Sequence, residues 1–214
     1  MAPGIVEGIE GPAREMLEEL FKPRRARRGR VLFRPGDRAE HVYYLEDGWV
    51  RIYTPADGEG EITLAVVGPG EIFGEAARHG DREYGVYAEV MSPGALYLAP
   101  GQKLLRFAAR YPEVGALVVR LLTERLWRVQ NWMKELRYQE VRPRLVRMLL
   151  NLMREGERGL EVALSHQDLA HLIGSTRETV TKILGELASA GLLELGYRKV
   201  IVRDPERLAA LIEA

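Results

Sequence analysis

Within six positions, Arg177, Glu178, Thr181 and Lys182 gather side chains whose polar groups match the edges of base pairs. Arg and Lys donate to guanine, and Glu accepts from the cytosine amino group. All four fall off the apolar positions Val180, Ile183, Leu184 and Leu187, whose spacing is that of one helix face. They therefore occupy the open side of a helix near its N-terminal end, where a groove-entering helix meets bases. Such a helix has to be started and braced. Ser175 and Thr176 can cap it. Ahead of it, Ser165-His166-Gln167-Asp168 has the form of a capping box, followed by apolar Leu169, Ala170, Leu172 and Ile173. Gly174 ends that first helix through the left-handed conformation that glycine adopts cheaply. Two helices joined by a tight glycine turn form a helix-turn-helix unit. The same spacing also suits an ordinary helical hairpin with a solvated charged face, and spacing alone does not separate the two.

The 214 residues suit one large domain or two small ones with real cores. A hydrophobic share of 46% beside 29% charged residues describes a soluble, globular chain. The absence of cysteine excludes disulfides, thiolate zinc sites and cysteine-held iron–sulfur clusters. With no signal peptide and no apolar run of spanning length, a cytoplasmic protein without a membrane partner is expected. Basic and acidic residues balance at 31 each, so contact with nucleic acid has to come from local patterning rather than a global field. His41, His79, His166 and His171 are too scattered for a metal centre, and no metal, cofactor or catalytic residue is expected.

Along the chain, Pro12 to Phe21 is a short amphipathic piece with Met16, Leu17, Leu20 and Phe21 on its apolar side. Arg24, Arg25, Arg27, Arg28 and Arg30 follow and read as a solvated surface strand. From Gly29 to Leu98 the texture is short β-rich runs: Val31–Phe33, Val42–Leu45, Trp49–Tyr53, Ile62–Val67 and Val86–Val90. Turn signals separate them at Pro35-Gly36-Asp37, Glu46-Asp47-Gly48, Asp57-Gly58 and Gly68-Pro69-Gly70. This pattern predicts a double-sheeted jelly roll.

Pro112 to Gln139 predicts one long helix. Its apolar positions Gly115, Val119, Leu122, Leu126, Val129, Met133 and Leu136 form a heptad seam of the kind a two-stranded coiled coil needs. A flank of Val118, Leu121 and Trp132 suits packing on the chain's own β-domain, and both uses can hold together. Val141-Arg142-Pro143 is expected to break the helix and to mark a domain boundary near 140. Leu145 to Met153 reads as a short apolar helix and Arg154 to Gly159 as a polar loop. Leu192–Leu195 and Lys199–Val202, joined at Gly196-Tyr197, form a hairpin wing, and Pro205 to Ala214 a terminal helix.

The run Gly174-Ser175-Thr176-Arg177-Glu178-Thr179-Val180-Thr181-Lys182-Ile183-Leu184 resembles the recognition helix of the CRP/FNR family of bacterial transcription regulators. Leu32–Asp37, Tyr44–Val50 and Gly70–Glu75 resemble that family's cyclic-nucleotide-binding domain, in family order. The resemblance covers most of the chain and implies an α+β fold. Its parts are a double-stranded β-helix (jelly roll) at residues 1–111, a dimerisation helix at 112–140 and a winged helix-turn-helix domain at 141–214. It also implies a homodimer, with Val119, Leu122, Leu126, Val129, Met133 and Leu136 as its seam, that binds an inverted repeat in double-stranded DNA. Half-sites would resemble TGTGA, and the activator would recruit RNA polymerase. Arg177, Glu178 and Lys182 would contact bases, while Gln167, Thr176, Thr179, Arg198 and Lys199 would hold phosphates. Lys182 stands where family members often carry Arg, so base preference there should be looser.

The family's nucleotide pocket fits only in part. Gly74-Glu75-Ala76 matches the turn that meets the ribose and phosphate, and Arg82 is available for the phosphate. The next residue, however, is Glu83 rather than Ser or Thr. A carboxylate about 4 Å from a phosphate would cost roughly 4 kcal/mol at an effective dielectric near 20. Val129 and Gln130 replace the hydroxyl pair that reads the purine. The haem-sensing relatives' ligands would correspond to His79 and Pro3, and a lone loop histidine is a weak ligand set. The leading expectation is a DNA-binding dimer acting without cyclic AMP and controlled by its abundance. Next stands the same regulator gated by an unidentified ligand in the roll. A reading from another class is a ligand-binding or enzymatic roll whose helical tail only oligomerises.

Overall fold

The computed structural model describes residues 4–56, 60–74, 83–138, 140–156 and 158–213, leaving aside the side chains of residues 132, 135–138 and 213. The chain folds as two compact units, residues 1–130 and 131–214.

The first unit opens with a short turn, Gly4–Val6, and helix α1, Gly11–Leu20. Ala13, Leu17 and Leu20 of α1 are buried, with Phe21 beyond its end, while Met16 is only half-buried. Among the described residues eight strands follow: β1 Lys22–Ala26, β2 Val31–Phe33, β3 His41–Leu45, β4 Trp49–Pro55, β5 Glu61–Val67, β6 Glu71–Phe73, β7 Tyr87–Ser92 and β8 Gly94–Pro100. They form two antiparallel sheets, ordered β1-β8-β3-β6 and β2-β7-β4-β5. This is the jelly roll that the short, glycine-punctuated runs predict. Val42, Leu45, Val50, Ile52, Val67, Phe73, Ala88, Val90 and Leu96 meet in one core between the sheets. The arginine run begins as the expected exposed strand, β1, paired along its length with β8.

Helix α2, Gly101–Arg110, and the long helix α3, Pro112–Tyr138, complete this part of the chain. The heptad pattern predicts the extent of α3 to within one residue of the described structure.

The second unit contains α4 Val141–Leu152, β9 Arg154–Gly156, β10 Gly159–Val162, α5 His166–Ile173, α6 Arg177–Ser189, β11 Leu193–Gly196, β12 Lys199–Val202 and α7 Pro205–Glu213. Two local expectations need correction. The long helix does stop ahead of Pro143, at Tyr138, but the next one starts at Val141 rather than Leu145: Pro143 lies in the first turn of α4, where backbone N–H groups have no helical partner to lose. Arg154 to Gly159 is not a loop. Residues on either side of its turn pair as β9 and β10, and β10 also pairs with β12. The result is a four-stranded sheet, β11-β12-β10-β9. β9 is three exposed residues, Arg154-Glu155-Gly156, with no apolar signal to mark it, while β10 alternates Leu160 and Val162 with Glu161 over only four residues.

Candidate nucleic-acid interface

Local chemistry sets the two helices α5 and α6. Ser165 caps α5 with a complete capping box: its Oγ accepts from the Asp168 N–H at 3.2 Å, and Asp168 Oδ2 accepts from the Ser165 N–H at 2.8 Å. Gly174 closes α5 at φ +63°, and its N–H reaches the Ala170 carbonyl. Thr176, rather than Ser175, caps α6 by accepting from the Thr179 N–H at 3.2 Å. Leu169, Ala170, Leu172 and Ile173 of α5 and Val180, Ile183, Leu184 and Leu187 of α6 are buried in the unit's core. Arg142 on α4 pairs with Glu186 on α6 at 3.2 Å, bracing the second helix from its far end.

That burial leaves Arg177, Glu178, Thr181 and Lys182 exposed together on α6. The residues expected at phosphates are less uniformly available. The hydroxyls of Thr176 and Thr179 lie 2.9 Å apart and serve the cap. Gln167 Nε2 lies 2.8 Å from His171 Nε2, one turn along α5. Lys199 Nζ donates to Glu161 Oε2 at 3.0 Å, stitching β12 to β10. Arg198 is exposed at the tip of the β11–β12 hairpin, held at φ +54° beside the exposed Tyr197. Of the two wing cations, Arg198 is thus the one presented outward.

One contact has no signal in sequence. His166 Nδ1 lies 2.9 Å from Thr181 Oγ1, joining the first residue of α5 to the second turn of α6 across fifteen positions. Burial, and then the charge of Arg177, hold the imidazole below its ordinary pKa.

Helix α3 divides its apolar residues between two faces. Val114, Leu117 and Leu121 are buried in the roll's core, with Val118, Leu122 and Val129 partly buried against it. Arg125 donates to the Ile72 carbonyl at 2.6 Å, and Arg128 lies 3.5 Å from the buried Glu71, fixing α3 against β6. Val119, Leu126 and Met133, each seven residues from the next, are 64%, 57% and 59% exposed. Trp127 is exposed as well. The heptad seam is therefore split: Leu122 and Val129 lean on the chain's own roll, while the other three form an open apolar stripe. The side chains of Trp132 and Leu136 lie outside the described residues.

At the expected effector turn, Gly74 has φ +82°, and a Cβ there would come within 2.9 Å of the His41 carbonyl and of the Tyr43 ring. Glycine is required by that packing whatever the turn binds. Tyr43 stacks on Phe73, and Phe33 stacks on Tyr84, whose hydroxyl donates to the His41 carbonyl at 2.7 Å. Burial pushes the Tyr43 and Tyr84 hydroxyls up from their ordinary pKa, so both stay neutral. Gly74→Ala should lower the stability of the roll by about 1–3 kcal/mol, from the left-handed backbone and the displaced ring together. Thermal denaturation without any ligand measures it. Glu75, Ala76, His79 and Arg82, and Pro3, lie outside the described residues, while Gln130 is exposed. Among the described residues no group of His, Asp and Glu could hold a metal ion, and no helix is long and apolar enough to cross a membrane.

Comparison with known proteins places both units. Residues 23–111 match the cyclic nucleotide-binding domain model and residues 143–211 the Crp-like helix-turn-helix domain model. The chain is 34% identical over 209 residues to the Cyclic AMP receptor protein of Thermus thermophilus, covering 98% of this chain and 94% of that one. It is 31% identical over 193 residues to the Global nitrogen regulator of Synechocystis sp., covering 85% and 84%. Among solved structures, a transcriptional regulator of the CRP family from Thermus thermophilus superposes with a TM-score of 0.78 at 31% identity, covering 89% of this chain and 97% of that one.

Proposed function

The chain belongs to the CRP/FNR family of transcription regulators, and on that premise we propose that it acts as a homodimer on an inverted-repeat promoter site, as a cytoplasmic, non-enzymatic activator that recruits RNA polymerase without needing cyclic AMP. The observation that carries this reading is the exposed set Arg177, Glu178, Thr181 and Lys182 at the start of a helix capped by Thr176 and held by a buried face. Arg177 and Lys182 donate to guanine and Glu178 accepts from a cytosine amino group. Arg198 holds a phosphate, and Gln167, Thr176, Thr179 and Lys199 give up or share their present partners to do the same. Residues 112–140 supply the dimer contact through Val119, Leu126 and Met133, residues 1–111 form the sensor-like roll, and residues 141–214 bind DNA.

A second reading gates the same regulator with a small ligand in the roll. It is favoured by the match of residues 23–111 to a cyclic nucleotide-binding domain, and opposed by Glu83 in place of a hydroxyl and by Val129 leaning on the roll's core. Selection of duplexes from a random pool, with and without cyclic AMP, tests both. An inverted repeat enriched equally in the two arms supports the first reading. Enrichment only with the nucleotide supports the second, and no enrichment in either arm overturns the first and rules out cyclic AMP as the ligand of the second.

A further inference from the structure

We propose that Thr181 reads thymine through its methyl group, and that His166 turns the methyl to the duplex by holding the Thr181 hydroxyl from the neighbouring helix. The inference rests on the reading of α5 and α6 as a DNA-binding pair. It adds one base contact to those of Arg177, Glu178 and Lys182.

Thr181 lies four residues beyond Arg177 and three beyond Glu178, so it shares their face of α6, and it is exposed there. Its Cβ carries two unlike groups: a hydroxyl that donates and accepts, and a methyl that does neither. A helix leaves threonine two side-chain rotamers, because the hydroxyl can bond a carbonyl one turn back on its own helix. Thr123 on α3 does so, donating to the Val119 carbonyl at 2.8 Å. A hydroxyl matches donors and acceptors on several bases, whereas a methyl finds its apolar partner on thymine. The rotamer therefore sets what the residue reads.

His166 selects the rotamer. Its Nδ1 lies 2.9 Å from Thr181 Oγ1, a hydrogen bond across to the neighbouring helix. The bond holds for either tautomer of the ring, since a hydroxyl both donates and accepts. Both of its ends are fixed. His166 is the first residue of α5, and the reciprocal capping box of Ser165 and Asp168 sets that end. Thr181 stands between the buried Val180 and Ile183 on α6. With Oγ1 turned to α5, the methyl is the group of Thr181 left to meet the duplex. Arg177 and Lys182 donate and Glu178 accepts, so the methyl supplies the apolar contact that this set otherwise lacks.

The test uses full-length protein and the selected inverted repeat, with each thymine replaced in turn by deoxyuridine, which removes only the 5-methyl. One position should lose about fourfold in affinity per half-site, the weight of one buried methyl, and about fifteenfold when both half-sites are changed. Thr181→Ser keeps the hydroxyl and loses the methyl, so it should bind the thymine and uracil duplexes alike. His166→Ala should lose most of the discrimination. Adding Thr181→Val, which carries a methyl in either rotamer, should restore it, a rescue that a merely structural role for His166 would not allow. Should His166→Ala fold poorly, three-bond couplings to the Thr181 methyl in wild-type protein give the same answer by reporting one fixed rotamer. No thymine whose methyl matters, discrimination that survives Thr181→Ser or His166→Ala, or an averaging Thr181 rotamer would overturn the inference. Wild-type protein that binds no selected duplex would instead overturn the DNA-binding reading beneath it.

Discussion

Arg177→Ala should weaken binding to the selected inverted repeat by about 1–3 kcal/mol per half-site and leave binding to unrelated duplex nearly intact. The structure gives Arg177 little structural duty. It is the first residue of α6, it is exposed, and among the described residues no ion pair holds it. A cation at a helix N-terminus also opposes the helix dipole, by about 0.3–1 kcal/mol. Removing it should leave the melting temperature unchanged or slightly raised. Competition binding with specific and non-specific duplexes separates the roles: a uniform loss on all DNA would make Arg177 a phosphate contact, and no loss would remove it from the interface.

Leu126→Glu should abolish the dimer at micromolar concentration, and operator binding with it. Leu126 is the middle of the open stripe between Val119 and Met133, and its 57% exposure means the isolated fold does not depend on it. Burying a leucine contributes about 1.5–3 kcal/mol, and a twofold seam contains it twice. Loss of both copies raises the dimer dissociation constant at least about a hundredfold, before repulsion between the two facing carboxylates is added. Sedimentation equilibrium reads the result directly, and a stable dimer in this variant would remove α3 as the dimer contact. Val129, equally central in the heptad pattern, is a poorer site for the experiment. It packs against the roll's core, so a charge there would unsettle the fold and the dimer together.

These two residues show where sequence and structure divide the work. The exposed place of Arg177 at the start of α6 is legible in sequence because its surroundings are local: a cap at Thr176, a glycine at Gly174 and an apolar face at helical spacing. Leu126 and Val129 were not separable, because one heptad pattern serves any partner surface, and only the position of the roll shows which residues it already occupies. The strands β9 and β10 escaped the sequence reading for the same reason. β9 is polar throughout, β10 is only four residues long, and their pairing is completed by β12, some forty residues away.

Turn glycines, hydroxyl caps and apolar periodicity act over a few residues, so the roll of short strands, the extent of the long helix and the capped helix pair are all readable along the chain. Tertiary structure alone decided that Lys199 is spent on Glu161, that Gly74 is demanded by Tyr43 and His41, and that His166 reaches Thr181. Each of these depends on side chains brought together from distant positions, and a contact of that kind leaves no period or spacing to read.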